Sequence, residues 1–370
     1  MKTHYDVVVI GAGVIGTMTA RALAERGRAT LIVERDQIGH KGGSSHGLSR
    51  IVRVTDYHPD YVRINRLAMQ EWEELQEAAG ETLLVRTGNL EIGEGAQIYA
   101  DALDAAGERY EWLAPEEARE RWPSLRLRAD ERMFVQEDGG VCLADRSVRA
   151  AARLATEAGA ELRESTRAER VRGHDTFAEV VVEGETIRSS VVVVTAGAWA
   201  RNLLADAGLD LPLVPTLEQV SYYKLETASP LPTIIDYTAD EAIDHYAVPH
   251  PTEIGHFKLA LDHAGPVVDP DARSFDPDLE RLARVEAWGR SRFDSLIPTD
   301  PPETCLYTNT PDNEYVLDRI GSIVIGSACS GHGFKASPVI GKLLADLATG
   351  AGSTVALGRF LASRPALRPG

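Results

Sequence analysis

The chain opens with an unbroken apolar run, "YDVVVI" (5–10), the pattern of a strand buried on both faces. A glycine turn, "GAGVIG" (11–16), leads into "TMTARALAERG" (17–27), apolar at helical spacing and closed by Gly27. "ATLIVE" (29–34) reads as a second buried strand, so the opening predicts a strand–helix–strand unit. From residue 81 the pattern changes. "ETLLVRTGNLEIG" and "RMFVQEDGGVCL" predict strands around a short helix in "APEEARERWPSL" (114–125). "DRSVRAAARLATEAGAEL" (145–162) predicts a long helix and then a strand, and "TIRSSVVVVTAGAWA" (186–200) a buried strand ending in a glycine turn. Residues 213–310 mix strands and turns. The segment "GSIVIGSACSGHGFKASPVIGKLLADLATG" (321–350) returns to strand, glycine loop and helix, with Ser337 as N-cap, Pro338 in the first turn and Gly350 as stop.

Segments of the strand–glycine–helix kind thus lie at the start, middle and end, with other material inserted between them. This predicts an α/β fold (α+β overall) in which a Rossmann-like domain is interleaved with a mixed-sheet substrate domain. The expected boundaries are 1–80, 141–212 and 315–370 for the first, and 81–140 and 213–314 for the second.

Composition narrows the function. The 370 residues are 44% hydrophobic and 26% charged, an ordinary globular balance. A net charge of -17 without an acidic tail argues against nucleic acid or anionic lipid as a partner. Any anionic ligand must then be held by a few local cations. Cys142, Cys305 and Cys329 contain no CxxC, so neither a disulfide framework nor a structural metal site is expected. No leader pattern and no long apolar run is found, so a cytoplasmic chain without a membrane span is expected.

Gly11, Gly13 and Gly16 form GxGxxG between a strand and a helix: one glycine for the turn, one for close approach of a pyrophosphate, one for packing. The helix N-terminus offers free N–H groups to phosphates. Glu34, 18 residues after Gly16, ends the second strand, where a carboxylate accepts from ribose hydroxyls. Together these predict a dinucleotide. Two further glycine turns, around Thr195, Gly197 and Trp199 and around Gly331, Gly333 and Phe334, favour an extended FAD touched at several points. Val14, Ile15, Arg35, Ser44 and Ala168 complete the expected cofactor-contact set.

The candidate cations are few. There are six lysines against 33 arginines, so a lysine inside a motif carries weight. Arg50 and Arg53 in "SSHGLSRIVR" fit a carboxylate clamp, though surface arginines give the same text. Lys335 sits at the mouth of the last helix, where cation and helix dipole would stabilise the negative edge of a reduced flavin. Lys258 in "GHFKLALDH" points opposite to Phe257 and Leu259; facing inward, it needs a partner or a function.

These residues resemble the monomeric sarcosine oxidase and N-methyltryptophan oxidase group of the D-amino-acid-oxidase-like flavoproteins. The resemblance rests on "GAGVIG" with Glu34, "SSHGLSRIVR", "GHFKLALDH", "TCLYTNTPD" and "SGHGFKASP", spread in order over nearly the whole chain. It implies that Cys305 carries FAD through an 8α-S-cysteinyl link, which calls for a thiol of lowered pKa. It implies that Lys258 activates oxygen, that His46 and Arg50 lie near the flavin ring, and that Arg53 and Lys335 hold a substrate carboxylate. Tyr307 and Tyr246 are expected to line the substrate cavity. The family histidine four residues after the strand lysine is replaced by Asp262, with His263 next to it, so either residue can take that place. "GGSSHGLSR" also departs from the family text, and both changes touch the substrate side. The implied reaction is oxidation of a secondary amine acid, such as sarcosine, another N-methyl amino acid or a cyclic imino acid. A hydride equivalent goes to flavin N5, oxygen becomes hydrogen peroxide, and the imine hydrolyses. The partners are the amine and O2, and the family favours a monomer. A dehydrogenase passing electrons to a protein or quinone, and a flavin-binding protein without turnover, are the alternatives. Substrate choice is expected from the loops at 54–62 and 213–255.

Overall fold

The computed structural model describes residues 4–237 and 243–368. The opening run becomes the strand His4–Ile10, paired in parallel with Thr30–Val33 on one side and Glu185–Val194 on the other. Glu161–Arg163 extends this parallel core beyond Thr30–Val33, and Ile323–Ser327 extends it beyond Glu185–Val194. Alternate side chains explain the continuous apolar text. Val7 and Val9 join the core under the helices Val14–Glu25, Ala144–Glu157 and Ser337–Thr349, while Val8 and Ile10 join a second core with Leu203 and Leu204. Both faces are covered, as buried parallel sheets require.

A nine-stranded mixed sheet draws its strands from residues 89–136 and 214–309. Its long strand Val214–Lys224 pairs with both His256–Leu261 and Glu303–Asn309, which brings Lys258 and Cys305 into one structure. Phe257, Leu259 and Leu261 pack into a core beneath the sheet with Val285 and Trp288 of the helix Leu279–Arg292. A third, small sheet of Ser49–Val52, Gly140–Leu143 and Leu84–Arg86 spans the boundaries expected at 80/81 and 140/141.

Three expectations need correction. Residues 59–62 are not loop but the start of the helix Pro59–Ala79, capped by His58 and closed by Gly80 in the left-handed conformation. Leu279–Arg292 is a helix within a stretch that reads as strands and turns. Ser337 is the first helical residue, not the cap: the cap position is Ala336, and the Ser337 hydroxyl has no partner among the described residues. Pro338 and Gly350 stand in the first turn and at the stop. Residues 238–242, part of the 213–255 stretch, lie outside the described residues, as do 1–3 and 369–370.

Candidate active site

A cleft runs from the first glycine turn to the mixed sheet. Gly11, Gly13, Val14, Ile15, Glu34, Arg35, Ser44, His46, Arg50, Arg53, Ala168, Thr195, Gly197, Trp199, Tyr246, Lys258, Cys305, Tyr307, Gly331, Gly333, Phe334 and Lys335 all line it. Gly16 does not: a Cβ there would stand 1.9 Å from the Gly11 carbonyl, so it serves the packing of turn against helix. Among the lining residues that the sequence reading missed are Ser45, whose Oγ accepts from Val14 N at 3.1 Å, and Tyr222.

At the turn end, the helix Val14–Glu25 begins at Gly13, which supplies no side-chain cap; Ser45 takes the Val14 N–H, leaving the rest of the first turn for a ligand. The buried Glu34 carboxylate accepts from Ala12 N at 2.7 Å and Asp36 N at 2.9 Å, which fixes it at the cleft wall with lone pairs to spare. Arg35 lies over the Trp199 ring at 4.4 Å, and Asp271 ties the two together at 2.8 Å each. Glu34, Asp36 and His40 bring ligand atoms within 4.8 Å of one another.

In the middle, Arg50 donates to the carbonyls of Ser49, Ser44 and His46 at 2.8–2.9 Å and stands over Phe334. Lys258 Nζ donates to the same Ser49 carbonyl at 2.5 Å. Among the described residues neither cation has a carboxylate partner. Burial, and then Arg50, push the Lys258 ammonium down to about 7. His46 is buried beside them with both ring nitrogens unpartnered among the described residues; burial and Arg50 push it down to about 4, so it is neutral. A cleft wall of buried Lys258, partly buried Arg50 and the buried His46 imidazole, with no carboxylate partner for either cation among the described residues, is the wall an electron-rich ring requires. The uncapped helix, Glu34 and this wall fit FAD lying along the cleft.

Cys305 lies between Glu303 and Tyr307 on the cleft face of its strand, opposite Glu218 in the neighbouring strand. Its thiol is not lowered as expected. Burial pushes it up, and Arg50 and Lys258 pull against that without prevailing. Glu303 holds Lys41 at 2.5 Å and accepts from Tyr222 at 2.6 Å.

At the far end the cations differ. Arg53 pairs with the buried Glu91, which also accepts from Tyr237 at 2.7 Å. Lys335 Nζ stands 3.1 Å from the buried Asp56 and donates to the His332 carbonyl at 2.9 Å. Against the burial that would raise it, Lys335 holds the Asp56 carboxyl below its usual range. Trp72, on the helix Pro59–Ala79, donates to the Lys335 carbonyl at 2.8 Å and stacks on Phe334, anchoring this loop. Gly331 has φ +76, and a Cβ would meet Tyr307 at 2.7 Å and His263 at 2.9 Å. Asp262 lines the cleft and accepts from the Tyr307 hydroxyl at 3.1 Å; His263 packs edge-on against the Tyr307 ring, off the lining. Asp262 therefore takes the cleft position that the sequence left open between the two. Glu91 had one signal in the sequence, a lone carboxylate in the short strand "NLEI".

A profile described as FAD dependent oxidoreductase matches residues 6–347. The chain is 30% identical over 362 residues to the peroxisomal sarcosine oxidase of Mus musculus, covering 93% of this chain and 92% of that protein. It is 27% identical over 393 residues to the monomeric sarcosine oxidase of Arthrobacter sp. strain TE1826, covering 100% and 98%. Among solved structures, NikD, described as an unusual amino acid oxidase essential for nikkomycin biosynthesis, superposes with a TM-score of 0.87 at 25% identity, covering 97% of this chain and 98% of that one.

Proposed function

The chain belongs to the FAD dependent oxidoreductase family, and on that premise we propose that it is an oxidase of secondary amine acids, with FAD in the cleft and O2 as electron acceptor. The observation that carries this reading is the pair of buried Lys258 and partly buried Arg50, without a carboxylate partner among the described residues, between the glycine turn and the tyrosine-lined end. The substrate range follows the sarcosine oxidases it is similar to: sarcosine, other N-methyl amino acids or cyclic imino acids. Bound FAD supplies the two-electron acceptor for the C–H bond beside nitrogen.

The residues then have separate tasks. Glu34 and the turn at Gly11–Gly13 hold the adenosine and pyrophosphate. Arg50 and neutral His46 would line the site of the ring, and Cys305 would be the residue that carries an 8α-S-cysteinyl tether. Arg53 and Lys335 anchor the substrate carboxylate, and Tyr246 and Tyr307 wall the reacting carbon, supplying proximity. The unmatched cations Arg50 and Lys258 favour a substrate nitrogen that has lost its proton. Lys258 holds positive charge where oxygen gains electrons. The imine product hydrolyses in water. Among the described residues no helix is long and apolar enough to cross a membrane. We take the enzyme as cytoplasmic and monomeric, with light scattering as the check on the second point.

Anaerobic mixing with N-methyl and cyclic amino acids should bleach the flavin, and admitting oxygen should restore it with hydrogen peroxide. Bleaching followed by slow recovery in oxygen would indicate a dehydrogenase serving another acceptor. No bleaching by any amine would leave a flavin-binding protein without turnover.

A further inference from the structure

One wall of the cleft is not accounted for by holding a carboxylate. Arg53 and Lys335 are each already matched by a buried carboxylate of the chain itself, Glu91 and Asp56. Beyond these matched pairs, Asp262 turns a further carboxylate to the cleft. Among the described residues its oxygens accept from Tyr307 only, with the His263 ring 3.8 Å away. Its side chain is 35% exposed, so it has room for another partner. Asp244 lies close by: its carbonyl accepts from Asp262 N at 2.8 Å. Burial, and then Asp262, push the Asp244 carboxyl up to about 6. The substrate end therefore carries an uncompensated negative charge where the related enzymes were expected to place a histidine.

That charge has consequences for what can bind. A neutral side chain closing over Asp262 would strip its water and return no hydrogen bond, which is costly. A cationic group would make a charge-assisted bond in a partly desolvated site. We propose that Asp262 is a specificity-determining residue that selects amine acids bearing a second cationic group, an amine or guanidine, over neutral ones of the same shape. This rests on the amine-oxidase reading above.

The test uses the FAD-loaded enzyme under anaerobic conditions, with flavin bleaching as the readout. Nα-methyl-lysine is compared with Nα-methyl-norleucine, which has the same chain without the terminal ammonium, and with sarcosine. The wild type should favour the lysine derivative in apparent affinity by about tenfold or more, the scale of one charge-assisted bond. Asp262→Asn keeps an oxygen for the Tyr307 hydroxyl and removes the charge; it should abolish the preference, and Asp262→Glu should restore it. A merely structural role would move all three substrates together. Equal affinities in the wild type, or a preference that survives in Asp262→Asn, would overturn the proposal. Bleaching by sarcosine alone would also overturn it while leaving the amine-oxidase reading in place. Bleaching by no amine at all would bring down both.

Discussion

Two pairs of cations, each a buried lysine with a partly buried arginine, face the same cleft in opposite electrostatic states. Arg50 and Lys258 rest on backbone carbonyls without a carboxylate among the described residues. Arg53 and Lys335 each hold one, Glu91 and Asp56. A bare buried cation is expensive unless a ligand or a developing charge completes it. A matched cation is a positioning device, with its charge already spent locally and its remaining N–H groups aimed. The difference assigns the bare pair to charge that comes and goes during the reaction, and the matched pair to fixed recognition.

The largest break should come at Lys258. Lys258→Met should slow reoxidation by O2 about 100-fold or more, the scale of losing one preorganised electrostatic group, while flavin reduction by substrate changes far less. Rapid mixing of reduced enzyme with oxygen checks this. Next is the matched pair. Glu91→Gln strands the Arg53 charge in a buried site and should cost about 3 kcal/mol of stability, read by denaturant unfolding of the FAD-loaded protein. Asp56→Asn should behave similarly toward Lys335.

The pH dependence sharpens the contrast. Burial and Arg50 lower Lys258 to about 7, so the ammonium is charged below that point and neutral above it. Reoxidation should therefore slow as pH rises from about 6 to 9, and Lys258→Met should flatten the profile. The smallest effect concerns the tether. In the wild type the yellow colour should stay with acid-denatured protein, and in Cys305→Ala it should wash away while native FAD binding persists. Loss of colour from the wild type would remove the tether and leave the cleft assignment standing.

The parts of this arrangement that were legible in the sequence are the local ones. "YDVVVIGAGVIG" shows a buried strand and its turn because both depend on neighbours in the chain. Lys258 was visible because strand alternation alone turns it away from Phe257 and Leu259. The matched pairs were not legible, since Arg53–Glu91 and Lys335–Asp56 join segments that meet only when the sheets assemble. The Cys305 thiol was misjudged for the same reason: polar neighbours in sequence did not reveal that the assembled cleft partly buries and desolvates it. The helix Pro59–Ala79 was readable in principle from His58, Pro59 and Gly80, and from apolar residues at 61, 64, 68, 72 and 75. Ser337 looked like a cap, but the helix starts one residue sooner because the Gly333–Ala336 turn runs straight into it.

The most direct test crosses one member of each pair with the two halves of the reaction. Lys258→Met and Lys335→Met are compared in anaerobic reduction by substrate and in reoxidation by oxygen. The account predicts that the first variant loses reoxidation and keeps substrate affinity, and that the second loses substrate affinity and keeps reoxidation. Equal losses in both halves for both variants, or the reverse assignment, would contradict it.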